Sequence, residues 1–533
     1  WSRMQVGHRE RYSVERMLAL RDYYEQASLL RVLFVCLVTP LPAFAAVILI
    51  ECIPLRSPGE GWRANYAFWV RLFLSSFPMA VGGVLQVKQV IPPGIISYRA
   101  TVAIGLGTAV GYVSCALGLA ALWTFPVPFG YALMVGPFVC FFMASVCVVV
   151  GPKMLSKSLR QQIIPPLSVL AAQGMLAGCY PPFYAVFRQL SGFQQTTFVT
   201  VLPVIKVLSK QYIAKVSAHL KECIGPTIIF SVDVCNILYS VICMQTAVSS
   251  LTSVFLIGSD VFFILMVLRS IYRINPASVW PEDALSSSMQ TRRQSYLQSL
   301  PVLVRKTFEN VDSLDGPSQP VRVCAPFPLP LAGDSKELIA ELYSRGDTRE
   351  VEATQRGAVS QDTLKTKSSS VVKAEVKVAS RSVPVFAITK NKVEPSPSLR
   401  PMQTDTAAQE VQDALQALFH SEYVLMGEYV ECVLPLLYAL YLAVLYHLPT
   451  AAYYPHMKAL TADKLSDTLV NLLLYALVEF ASFVGVIVLL RRKFGFSPLY
   501  QLAFVLETQA RALQSQLLIW VLCILQFTLV HNG

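Results

Sequence analysis

The chain has 533 residues, 54% of them hydrophobic and 14% charged, with a mean hydropathy of +0.51. Soluble proteins carry roughly 25% charged residues, so this composition excludes an ordinary cytosolic enzyme and a chain disordered throughout. The net charge of +11 would suit a nucleic-acid binder, but the excess cations lie between apolar segments, so no nucleic-acid partner is expected.

A helix needs about 20 apolar residues to cross the hydrocarbon core. The first 31 residues are charged and carry no cleavable signal sequence, so the first apolar segment is read as its own insertion signal. Eleven spans are predicted in all. Five lie at Val32–Ile53, Tyr66–Val87, Thr101–Trp123, Phe129–Val150 and Ile164–Phe187. Phe193–Tyr212 is the weakest, with Gln194, Gln195, Pro203 and Lys206 inside it. Ile224–Met244 and Leu251–Leu268 follow, and after a long polar interval come Val430–Leu448, Thr468–Leu490 and Leu513–Val530.

This pattern predicts an all-α polytopic bundle of about eleven transmembrane helices. It divides into an inner N-terminal segment (1–31), eight helices (32–273), a largely disordered inner loop (274–423) and three helices (424–533). The loop is rich in Ser, Thr, Pro and charge and poor in aromatics, which leaves little to bury. Short helices are expected near Lys336–Arg345 and from Thr404 into the ninth span. Arg292-Arg293-Gln294-Ser295 suits a basophilic kinase, making Ser295 a candidate phosphosite, and the loop is a candidate docking element for a cytosolic partner.

The positive-inside rule orients the bundle. With the N-terminus cytoplasmic, inner segments hold Lys153, Lys157, Arg160, Lys206, Lys210, Lys215, Lys221, Arg269, Arg273 and Arg491-Arg492-Lys493. Outer segments hold Arg56, Arg63, Arg188, Lys458 and Lys464, and the C-terminus falls on the opposite side of a plasma or internal membrane. Sliding the chain by 406 residues aligns Asp22-Tyr23-Tyr24-Glu25 with Glu428-Tyr429-Val430-Glu431, and Asn65 with Asn471, a weak direct repeat.

Ionisable residues at the bilayer centre are costly and point to function. Asp233 and Asp260 each stand tenth in consecutive antiparallel spans, which sets them level, and Glu479 occupies the middle of the tenth span. Asp233, Asn236 and Ser240 share one helix face, as do Asn471, Tyr475, Glu479 and Ser482, so both faces should point into the bundle. Arg71, in the outer third of the second span, is a candidate counter-ion. Carboxylates placed this way suit a proton or cation relay in a transporter or channel for a small solute or ion. The same residues would serve as hydrogen-bonding glue in a non-catalytic scaffold or receptor, with the loop carrying the signal.

Broken helices add to the transport reading: Pro40 and Pro42 should interrupt the first span, Pro78 the second and Pro203 the sixth, with Pro165, Pro166, Pro181 and Pro182 bracketing the fifth. Gly107 and Gly111 are spaced for close helix packing. No P-loop, His-Glu-x-x-His, kinase set or nucleophile elbow occurs, and no cofactor or metal is implied by the cysteines and histidines. Paired aspartates on consecutive spans also occur in intramembrane aspartyl proteases, but the Tyr-Asp and Gly-x-Gly-Asp of those enzymes are here Val232-Asp233 and Gly258-Ser259-Asp260.

Four segments resemble a large oomycete group of multi-pass membrane proteins with no assigned activity. They are Phe198-Val199-Thr200-Val201-Leu202-Pro203-Val204-Ile205-Lys206, Phe230-Ser231-Val232-Asp233-Val234-Cys235-Asn236, Glu428–His456 and Gln501-Leu502-Ala503-Phe504-Val505-Leu506-Glu507-Thr508-Gln509. The resemblance implies a membrane location and a shared architecture.

Overall fold

The computed structural model describes residues 10–91, 94–151, 157–247, 250–273, 321–342, 404–458 and 460–532, with isolated positions between 297 and 344. All regular structure among these residues is helical. Ten helices among the described residues are long and apolar enough to cross a membrane. An eleventh apolar helix, Ala510–Gln526, coincides with the last predicted span but is shorter. A break at Gln509 divides it from the preceding helix, Pro498–Thr508.

The N-terminal helix is α1 (Val14–Gln26), capped by the Ser13 hydroxyl. The first span is two helices, α2 (Leu29–Val38) and α3 (Leu41–Glu51), parted at Pro40 as expected. There follow α4 (Tyr66–Val90), α5 (Tyr98–Leu122), α6 (Gly130–Val150) and α7 (Lys157–Gln189). The sixth span is broken into α8 (Gly192–Phe198) and α9 (Val201–Val216). The seventh comprises α10 (Ile224–Ile228), a π-helical turn over Ile229–Asp233, and α11 (Val234–Thr246). Then come α12 (Ser250–Arg273), α13 (Thr404–Tyr446), α14 (Ala462–Phe494), α15 (Pro498–Thr508) and α16 (Ala510–Gln526).

Not every proline breaks its helix. Pro78 lies within a continuous α4, and all four prolines of the fifth span lie within a continuous α7. A proline removes one backbone hydrogen bond, and in a membrane bundle neighbouring groups and local adjustment compensate for it.

The seventh span is the axis of the molecule, buried along its whole apolar length. It packs against α7, α13 and α16. The C-terminal helices return to the N-terminal ones, α15 against α2 and α16 against α3 and α4. On the outside, α4, α5 and α6 pack consecutively and expose Val102, Leu106 and Val110, the apolar face that lipid would cover. Gly111 permits the α5–α6 approach, since a Cβ there would stand 2.5 Å from the Phe141 ring.

Part of the expected disordered loop is ordered. Residues 321–342 lie along α1: Val14 N–H donates to the Arg322 carbonyl at 3.0 Å and Glu15 N–H to that of Val323 at 2.9 Å. The Asp22 carboxylate accepts from Ala332 N–H and Ser335 Oγ at 2.7 and 2.8 Å. The short helix expected near Lys336–Arg345 is present at 333–342, and the second runs unbroken from Thr404 into the ninth span. The remainder of the loop, with Ser295, lies outside the described residues.

Candidate functional site: a buried carboxylate cluster

The π-helical turn sits at the heart of the site. The Thr227 and Ser231 hydroxyls bond back to the carbonyls of Cys223 and Thr227 at 2.9 and 2.5 Å, an arrangement that bends helices. Asp233 ends this turn, and its Oδ1 lies 2.8 Å from Lys210 Nζ and 4.0 Å from Lys206 Nζ. Both lysines are one turn apart on α9.

Lys206 bridges two carboxylates, for its Nζ also donates to Glu431 Oε1 at 2.7 Å. One turn before Glu431 on α13, Glu428 Oε2 accepts from Ser482 Oγ at 2.5 Å. Glu479 of α14 completes the group: one carboxylate oxygen from each of Glu428, Glu431 and Glu479 lies within 4.8 Å of the others. A turn earlier on α14, the Tyr475 hydroxyl donates to Asp260 Oδ2 at 2.7 Å. Lys206 is close enough to act on the charge of Asp260 as well.

The cluster therefore gathers Asp233, Asp260, Glu428, Glu431 and Glu479 around Lys206 and Lys210. Carboxylates outnumber ammonium groups, so full ionisation would leave the cluster anionic inside the helical bundle. Glu479 is wholly buried and neither of its carboxylate oxygens has a hydrogen-bond partner. A cavity of about 150 Å³ adjoins the group, lined in part by Lys206, Lys210, Asp233, Tyr423, Glu428 and Glu431.

Asp233, Asp260 and Glu479, singled out from sequence, all belong to this cluster. Arg71 does not join it. It pairs instead with Glu51 of α3 at 2.8 Å, where the Tyr454 hydroxyl donates to the same carboxylate at 2.7 Å. Tyr475, Glu479 and Ser482 face inward as expected, whereas Asn471 is exposed. Asp233 is ion-paired with Lys210, and Asp260 accepts from Tyr475.

Four members escaped the sequence reading. Glu428 and Glu431 fell at the edge of the ninth span, because apolar character there begins at Val430, yet α13 is continuous through them. Lys206 and Lys210 counted as inner-surface charge, yet they are the counter-ions of Asp233 and Glu431. The available signal was a lysine pair four apart inside an apolar stretch, which places both ammonium groups on one helix face.

A second ionic network closes the end of the bundle that carries α1. Arg16 meets Glu422 of α13 at 2.9 Å with both side chains buried, and the Tyr12 hydroxyl donates to the same carboxylate. Ser13 donates through N–H and Oγ to Glu222 at 3.1 and 3.0 Å. Gln501 ties Tyr12 to Ser421. Burial, and next the charge of Glu422, hold the Tyr12 hydroxyl well above its ordinary range. Burial likewise raises the Glu10 carboxyl, against the opposing pull of Arg322.

No protein-family model, curated protein or solved structure matches this chain.

Proposed function

We propose that this multi-pass membrane protein is a transporter or channel for a small solute or ion, and that the Asp233–Lys206–Glu431–Glu428–Glu479–Asp260 cluster is its coupling site. The observation that carries this reading is Glu479, fully buried with neither carboxylate oxygen hydrogen-bonded. Carboxylates used only to hold helices together are satisfied by the contacts they make. An unsatisfied one costs roughly 1–3 kcal/mol, and more if charged, a cost that a titrating or ion-binding role explains. Broken helices at Pro40 and between α8 and α9, and the π-helical turn at Asp233, are of the kind found beside sites in transporters.

A cytoplasmic N-terminus and an opposite C-terminus belong to the same proposal, supported by Arg491, Arg492 and Lys493 at the inner end of α14. Membership of the oomycete group is a further part of it, resting on the four similar segments.

The test is flux into liposomes that hold the purified full-length protein and a pH-sensitive or cation-sensitive dye. An imposed gradient of protons or cations should drive dye response in the wild type and not in Glu479→Gln. Response equal to that of protein-free liposomes under every gradient would contradict the proposal. A scaffold is the second reading, favoured by the docking of residues 321–342 on α1. Excision of residues 345–403 should leave flux intact in a transporter and abolish partner capture in a scaffold.

A further inference from the structure

The cluster carries an assignment of its ion. We propose that Glu428, Glu431 and Glu479 form a binding site for a divalent, oxygen-preferring cation, with the Lys206 ammonium as the resident counter-charge that the ion displaces. This deepens the coupling-site reading by naming the ion class, and it rests on that reading for the route by which the ion arrives.

Three observations converge. The donor set is made of carboxylate oxygens, with no thiol or imidazole in it. That is the preference of hard cations of the calcium, magnesium and manganese group. Because the three oxygens lie within 4.8 Å of one another, a single point stands at most about 2.8 Å from all of them. Small inward rotations reach the 2.3–2.6 Å of calcium more readily than the 2.0–2.1 Å of magnesium.

Glu479 is the second observation. Its oxygens are buried, point into the group, and have no donor. Glu428 and Glu431 each have one, from Ser482 and Lys206 respectively. The set is thus asymmetric, with two arms satisfied by protein and one left for a ligand.

The position of Lys206 is the third. Its ammonium lies 2.7 Å from Glu431 and 4.0 Å from Asp233, so a shift of about 1 Å changes its partner. A cation entering between the three glutamates takes Glu431 from the lysine, and Asp233 receives the displaced charge beside Lys210. Lys206 in this scheme is a tethered ion that keeps Glu431 paired between binding events. Removing it should tighten cation binding, whereas removing Glu479 should weaken it.

Binding can be read without transport. Full-length protein in nanodiscs is titrated with Mn²⁺ at pH 7.5, free ion being followed by its electron paramagnetic resonance signal. The expected result is one site per chain, displaced by Ca²⁺ at lower concentration than by Mg²⁺. Affinity should fall at least tenfold in Glu479→Gln and in Glu428→Gln, and rise at least tenfold in Lys206→Gln. A Ca²⁺-dependent rise in melting temperature, smaller in the glutamine variants, checks that each protein is folded.

Absence of stoichiometric binding in both wild type and Lys206→Gln would overturn the inference. So would binding that Glu479→Gln and Glu428→Gln leave unchanged. If either result came with proton flux in liposomes, the coupling-site reading would stand with the proton as its ion. Stoichiometric, Glu479-dependent binding without flux of any ion would support the cation site and remove transport instead.

Discussion

At the end of the bundle that carries α1, each carboxylate oxygen of Glu422 and Glu222 has a donor: Arg16 and Tyr12 serve the first, Ser13 the second. In the cluster among the spanning helices, Glu479 has none and carboxylates outnumber ammonium groups. Glu422, Glu222 and Glu479 are all buried and both networks join distant parts of the chain, so burial of the carboxylate alone does not separate them. Donor matching does. A matched network fastens α1 to α13 and the 321–342 segment; an unmatched one keeps capacity for a proton or an ion. Buried charge thus has two uses in these two networks, which their carboxylate oxygens distinguish.

The largest expected effect lies in the matched network. Arg16→Ala leaves Glu422 buried without its cation and should cost about 3–5 kcal/mol, seen as a fall in the thermal unfolding midpoint. The double variant Arg16→Met/Glu422→Leu should recover most of that loss, because both charges are then absent. The unmatched network should respond with the opposite sign. Glu479→Met removes an unsatisfied carboxyl and keeps the volume, so stability should rise by about 1–3 kcal/mol while flux is lost. A destabilised Glu479→Met protein would erase the distinction between the two regions.

His456, in the short helix Pro455–Lys458 outside the spans, gives a pH-dependent control that belongs to neither network. Burial, and next the Arg188 charge, push its imidazole down to about 4. An unfolded histidine titrates near about 6.5, so between these values the unfolded chain binds the proton that the folded one refuses. The stability contribution is complete above pH ~6.5 and is lost as pH falls toward about 4. Unfolding midpoints measured across this window should slope in the wild type and slope less in His456→Asn. The smallest effect is expected at Asp22, whose carboxylate holds Ala332 and Ser335. Asp22→Asn should cost about 1 kcal/mol and hasten limited proteolysis within 321–342, with no change in flux.

Much of this was readable before the structure. Spans are legible because lipid imposes a length and an apolar composition, so all eleven predicted positions coincide with helices. Deep carboxylates are legible because their cost makes them rare, which is how Asp233, Asp260 and Glu479 emerged. Partners were harder to see. Glu428 and Glu431 stand where a hydropathy window ends, and that window cannot tell a helix crossing into solvent from one continuing inside protein, as α13 does. Lys206 and Lys210 look like surface charge until α9 is seen against Asp233. Arg71 lacked an evident mate because Glu51, at the end of α3, reads as an interface residue. The order in 321–342 was hidden for the same reason: its bonds run to α1, some 310 residues earlier in the chain.

The central claim is that the unmatched cluster is reached by water and ions whereas the matched network is dry. In a background lacking the native cysteines, Glu479→Cys and, as the dry counterpart, Ser421→Cys would be exposed in intact membranes to a small charged thiol reagent. Rapid modification at position 479, with little at position 421, is the predicted result. Equal resistance at both positions in folded protein would mean that the carboxylates are packing alone, contradicting the claim.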